Sequence, residues 1–150
     1  MIAFPDTSFL CSLYRQQVHS PRVVAYMHAL TGPLPVSSLL LLEFRQSVRL
    51  QARLHARDRT KGYLKHDATR MLQSVQADLA SKEIEVLPVD WSDVHQLAEN
   101  LSARYTEQSG HRLADILHVA TALHLGATEF LTFDNNQKLL AQAEGLVVSI

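Results

Sequence analysis

Four carboxylates stand where an apolar run ends or where a helical stripe would otherwise be apolar: Asp6, Glu43, Asp115 and Asp134. Asp6 closes the run in Phe4-Pro5-Asp6-Thr7-Ser8, and Asp134 closes the one in Leu131-Thr132-Phe133-Asp134-Asn135. Glu43 interrupts Leu39-Leu40-Leu41-Leu42-Glu43-Phe44, and Asp115 lies inside Leu113-Ala114-Asp115-Ile116-Leu117. Acids brought together repel one another unless a cation such as Mg²⁺ or Mn²⁺ neutralises them. These hard ions take oxygen ligands, keep several waters and accept phosphate oxygens. A cation so held lowers the pKa of a bound water, aims the resulting hydroxide and stabilises the leaving oxygen, which is the chemistry of phosphodiester hydrolysis. Thr7, Ser8 and Thr132 add hydroxyls beside the acids that could bind metal waters or phosphate.

Each residue also has a local explanation. An Asp between a strand and a helix is a favoured N-cap, because its carboxylate accepts backbone N–H bonds, and Ser or Thr at helix starts serves the same end. Glu43 and Asp115 near helix starts would complement the helix dipole. Capping accounts for Asp6 and Asp134 singly. It does not account for two further acids embedded in apolar helical segments.

The elements that must position these residues alternate along the chain. Short apolar runs at Ile2 to Pro5, Leu34 to Ser37, Ile84 to Leu87, Phe130 to Phe133 and Leu146 to Val148 read as strands. Between them lie helical stripes. Val94, Leu97, Ala98, Leu101 and Tyr105 follow a cap at Asp90, and a helix from Arg112 buries Leu113, Ile116, Leu117 and Ala120 and ends at Gly126. Leu39 to Arg57 carries Leu41, Phe44 and Val48 on one stripe, and Thr60 to Lys82 reads as helical with Gly62 near its start. Such alternation predicts an α/β fold: a three-layer α/β/α sandwich around a central, mostly parallel five-stranded sheet, with two helices between consecutive strands. In such sheets functional groups collect where the strands end, because the βα loops converge there. Asp6 and Asp134 occupy that position.

The chain has 150 residues, a length that suits a single domain spanning 1–150. A hydrophobic fraction of 47% with 19% charged residues describes a packed globular protein and excludes a disordered or fibrous one. The formal charge of −1 lacks a bulk basic excess, so a nucleic acid would have to meet a local patch. Arg45, Arg49 and Arg53 recur every four residues and form one stripe, with Arg57, Arg59, Lys61 and Lys65 downstream. They could contact RNA phosphates, meet a protein partner, or be a solvated face. A lone Cys11 and no Cys/His cluster at zinc spacing fit a reducing compartment, so the cytoplasm is expected. With no apolar leader and no long uncharged run, neither export nor membrane spanning is expected.

Arg112 and His118 lie three residues either side of Asp115 and share its helix face. Arg112 could bind phosphate or orient a carboxylate, or could form a structural salt bridge. His118 reads as a hydrogen-bonded structural residue, and Trp91 and Phe130 as packing residues.

Asp6-Thr7-Ser8 after a first strand resembles the opening of PIN-domain proteins, especially the VapC-type toxins of toxin–antitoxin pairs. The segment from Leu113 to Ala122 and the Thr132-Phe133-Asp134 that ends the run from Ala127 are similar to that family's third and fourth acidic motifs, in order and spacing. Glu43 matches its helix-borne glutamate. The resemblance spans almost the whole chain and implies a Mg²⁺- or Mn²⁺-dependent endoribonuclease with Asp6, Glu43, Asp115 and Asp134 as metal-binding and catalytic acids. It further implies products with 3′-hydroxyl and 5′-phosphate ends, a homodimer, and a small antitoxin protein as partner. Two features depart from the family pattern. Leu139 and Leu140 stand where an aromatic is frequent, and Pro5 interrupts what should be an internal strand, which predicts an early strand end or a bulge at Asp6.

A phosphatase of the haloacid dehalogenase class would need a second Asp where Ser8 stands, and a receiver domain would need a phosphoacceptor Asp after Ile84-Glu85-Val86-Leu87. Neither is present. The same fold without catalysis, as a binding or regulatory module for RNA or protein, is the alternative that the sequence leaves open.

Overall fold

Strands in this chain are cut short by the residues that start the following helices. A computed structural model describes residues 2–150. The strands are β1 (Ala3–Pro5), β2 (Leu34–Val36), β3 (Ile84–Val86) and β4 (Glu129–Leu131). The helices are α1 (Thr7–Tyr14), α2 (Ser20–Ala29), α3 (Ser38–Arg57), α4 (Lys65–Ser81), α5 (Trp91–Leu101), α6 (Glu107–Ser109), α7 (Leu113–His124) and α8 (Asn135–Ala143), with a π-helical turn at Ser102–Thr106. β1 stops where Asp6 turns to cap α1, and β2 stops where the Ser37 hydroxyl accepts the Leu40 N–H at the start of α3.

The described residues form two two-stranded parallel sheets, β1–β4 and β2–β3. This replaces the expected five-stranded sheet. Leu146 to Val148, expected as a fifth strand, contributes a single parallel bridge between Val147 and Glu129. Pairing there is limited to Val147, whose carbonyl accepts from Phe130 and whose N–H donates to Thr128. The chain divides into two compact units, one running through Phe9 and resuming over Leu87–Ile150, the other Leu10–Val86.

In the first unit β1 and β4 pair in register, Phe4 opposite Phe130 and Pro5 opposite Leu131. Pro5 makes no bulge; it is the last residue of the short β1 and the last pair of its ladder, after which the Asp6 N–H still bonds the Leu131 carbonyl. The Ile2 carbonyl and the Asp6 N–H both bond β4, so by the alternation of a strand the Pro5 nitrogen faces the other edge and its missing N–H removes no bond of the pair. Phe4, Phe9, Phe130 and Leu131 are fully buried, and the Phe9 and Phe133 rings stack at 6.5 Å. α7 packs against α5 and α8. It is buried at Asp115, Ile116 and throughout His118 to Ala122, whereas Leu113, expected in the core, is 72% exposed and Leu117 is half-buried. Its end follows the expected pattern: Gly126 at φ +69° closes a Schellman motif, with Gly126 N–H bonded to Leu123 and Ala127 N–H to Ala122.

In the second unit α3 and α4 pack together over Leu40, Phe44, Val48, Met71 and Val75. The Tyr14 ring meets Phe44 at 5.5 Å and its hydroxyl donates to Asp78 at 2.8 Å. α4 begins at Lys65 rather than Thr60. Thr60 is held in a turn by Asp58, which accepts both its N–H and its hydroxyl. Gly62 sits at φ +58° so close to α3 that an added Cβ would lie 2.0 Å from the Gln51 carbonyl oxygen. No helix among the described residues is long and apolar enough to cross a membrane.

Candidate active site

Asp6 is the hub of the first unit's polar network. Its side chain is fully buried. Oδ1 accepts from the Ser8 hydroxyl at 2.6 Å and the Phe9 N–H at 3.0 Å, and Oδ2 accepts from the Thr132 hydroxyl at 2.5 Å and Gln137 Nε2 at 2.9 Å. Burial raises its pKa above the usual carboxylate value, while the bonds from Ser8, Thr132 and Phe9 and the electrostatic influence of His118 pull it back. The local capping role and the expected functional position therefore coincide in one carboxylate.

Thr132 carries the network onward. Its hydroxyl, buried just after β4, donates to Asp6 and accepts the Asp134 N–H at 3.0 Å. The Ser8 hydroxyl likewise accepts the Phe133 N–H at 2.9 Å, so both hydroxyls tie the start of α1 to the turn after β4. Thr7, beside them, is half-buried. Asp134 caps α8 through Oδ1, which accepts the Gln137 N–H at 3.0 Å. Its Oδ2 lies 3.9 Å from Arg112 Nη2.

Asp115 occupies the first turn of α7, where the dipole favours it, and its side chain is 5% exposed. Arg112, at the N-cap, grips it as a fork, Nε to Oδ2 at 2.8 Å and Nη2 to Oδ1 at 3.1 Å. The Arg112 side chain is 75% exposed. One cation thus touches Asp115 and reaches Asp134, and a continuous chain of contacts runs from Asp6 through Thr132, Asp134 and Arg112 to Asp115. His118 is buried in the core.

Glu43 belongs to the second unit. α3 begins at Ser38, so Glu43 is past the first turn, and the helix has no acidic residue there; the dipole explanation fails for it. It is half-buried. Arg45 donates to Gln76 at 3.5 Å and with Arg49 lines a groove against α4, while Arg49 and Arg53 are exposed.

Gln137 is the member of the network that the sequence did not single out. Asp134 followed three residues later by Gln has the spacing of a capping box, whose glutamine should reach back to the cap N–H. Here Thr132 takes that N–H, and the buried Gln137 side chain is spent on Asp6 instead, leaving its Oε1 without a partner.

No group of three or more Asp, Glu, His or Cys side chains stands ready to hold a metal ion among the described residues. The Asp115–Asp134 pair nonetheless fits one. Mg²⁺ is commonly held by only one or two carboxylates, with waters and substrate phosphates completing the shell, and these two acids already share a single cationic group in Arg112.

Comparison with curated proteins finds no match. Among solved structures, the chain is similar to VapC20 of Mycobacterium tuberculosis, described as a sarcin-ricin loop cleaving toxin, at 18% identity and TM-score 0.65, covering 97% of this chain and 96% of that one. It is similar to FitAcB from Neisseria gonorrhoeae at 21% identity and TM-score 0.66, covering 98% and 96%. At such identities the likeness concerns the fold. The PIN domain profile matches residues 3–143, nearly the whole chain. The chain belongs to the PIN domain family.

Proposed function

We propose that this chain is a metal-dependent endoribonuclease, the toxin of a toxin–antitoxin pair, acting in the cytoplasm as a homodimer of one domain spanning 1–150. The observation that carries it is the line of contacts that joins Asp6 and Asp134, which follow strands, to Asp115 at the start of α7 in a PIN-family chain. Similarity to a toxin described as cleaving the sarcin-ricin loop supports RNA as the substrate class. The antitoxin partner rests on the likeness to VapC-type toxins.

Asp115 and Asp134 are the acids best placed to hold Mg²⁺ or Mn²⁺ directly. Bound there, the ion would supply an activated water and charge neutralisation at the scissile phosphate. Asp6 fixes the arrangement: its carboxylate holds Thr132, which holds the Asp134 backbone, and Gln137 ties α8 to the same oxygen. It could join the ion by giving up one of its four donors. Glu43 is the fourth acid on the strength of the sequence, a carboxylate within an apolar stripe beyond the reach of the helix dipole. Ser8, Thr7 and Thr132 position the acids, and Arg112 offers planar donors to substrate phosphate.

A second reading has an observation of its own. Asp6 accepts four internal donors and both Asp115 oxygens face the Arg112 fork, which suits a non-catalytic binding module. The two are separated by incubating metal-stripped protein with a mixed RNA pool, with and without Mg²⁺ or Mn²⁺, and identifying the product ends. Metal-restored cleavage leaving 3′-hydroxyl and 5′-phosphate ends is expected. RNA binding without cleavage under either metal would leave the binding module.

A further inference from the structure

We infer that Arg112 is a built-in counter-ion that holds the Asp115–Asp134 pair together in the metal-free protein and competes with the divalent cation for it. This deepens the nuclease reading and rests on it. The geometry is specific. Two donors of one guanidinium engage both oxygens of Asp115, at 2.8 and 3.1 Å, and the same Nη2 stands 3.9 Å from Asp134 Oδ2. While the fork is closed the guanidinium charge stands 2.8 and 3.1 Å from the two Asp115 oxygens, so a divalent cation approaching the same carboxylate meets a like charge and the two compete for it.

Burial is unequal across the pair. The Asp115 side chain is 5% exposed and rigid in the first turn of a core helix, whereas Arg112 is 75% exposed at the N-cap. The carboxylate is therefore the fixed partner and the guanidinium the removable one. An exposed Arg regains full hydration on leaving, and its departure uncovers a buried acid that requires another positive charge. The exchange replaces one positive charge beside the carboxylate pair by two. It also frees the fork to face an incoming phosphate at the moment the ion is in place. Metal affinity in this chain is thus set below what its carboxylates alone would give.

The test compares wild type, Arg112→Gln and Arg112→Lys by Mn²⁺ titration, read calorimetrically and by the paramagnetic signal of free Mn²⁺, together with the melting temperature of the metal-free proteins. Removing the charge in Arg112→Gln should tighten Mn²⁺ binding by about ten-fold, within the usual range of coupling between two ligands of one site, and should lower the metal-free melting temperature. Arg112→Lys keeps the charge without the fork and should fall between them. Equal Mn²⁺ affinity in all three, or weaker binding in Arg112→Gln, would overturn the competition while leaving the metal-dependent reading intact. Absence of Mn²⁺ binding in all three would overturn both. Mn²⁺ binding by Arg112→Gln alone would be the competition in its strongest form.

Discussion

Replacing Thr132 by Val keeps the shape of a buried side chain and removes the oxygen through which Asp6 and Asp134 communicate. Two interactions go with it: a 2.5 Å bond to a buried carboxylate and a 3.0 Å acceptor for the Asp134 N–H. A hydrogen bond to a charged group contributes about 1.5–3 kcal/mol net, and a stranded buried N–H costs about 1 kcal/mol or more. The added methyl returns somewhat under about 1 kcal/mol. The expected loss is therefore about 3 kcal/mol near neutral pH. The pH dependence follows from Asp6. Its folded pKa lies above the ordinary 3.8, so the native state binds this proton more readily than the unfolded chain. Its contribution is fully present below the ordinary carboxyl value and is lost as pH rises through the raised one. Removing a donor to the charged form raises the folded pKa further, so the variant's deficit must grow through that window and level off above it. On the acid side of that window, where folded Asp6 carries its proton, the lost bond is a neutral one and the cost should fall by about 1 kcal/mol. Urea unfolding of metal-free wild type and variant at about pH 4 and about pH 7.5 measures both differences. A neutral-pH cost under about 1 kcal/mol, or a cost no smaller at acid pH, would refute the assignment of Asp6 as a buried anion held by Thr132.

Two further substitutions probe the second unit. Gly62→Ala should destabilise it by about 3 kcal/mol, combining left-handed backbone strain with a Cβ driven onto the Gln51 carbonyl, and should show as faster amide exchange at the end of α3. Lys82→Gly should stabilise by about 0.5–1 kcal/mol, because Lys82 closes the α4 Schellman turn at φ +63°, where glycine is unstrained; no rise in denaturation midpoint would contradict that conformation.

The parts of this molecule legible in sequence are those governed by short-range rules. Asp90 caps α5 and Gly126 ends α7 as the residue types require, and Asp6 and Asp134 stand at strand ends because the chain turns from strand to helix there. What is not legible in sequence depends on partners distant in the chain. Gln137 has the spacing of a local cap, yet it serves a carboxylate 131 residues away. Pro5 reads as a strand breaker only until the edge faced by its nitrogen is known. The sheet was overdrawn for a related reason: apolar runs such as Leu146 to Val148 record burial, not the number of ladder bonds, and here one bridge suffices. Thr60 looked helical because a stripe of side chains does not reveal that Asp58 has already claimed its backbone.

The most direct test of the central claim is the rate of RNA cleavage at saturating Mn²⁺ for wild type, Asp115→Asn and Asp134→Asn, each confirmed folded by its melting curve. Loss of about 100-fold or more in both variants is expected if these two acids carry the ion, a factor within reach of removing one ligand's charge stabilisation. Cleavage at wild-type rate by either variant would contradict it.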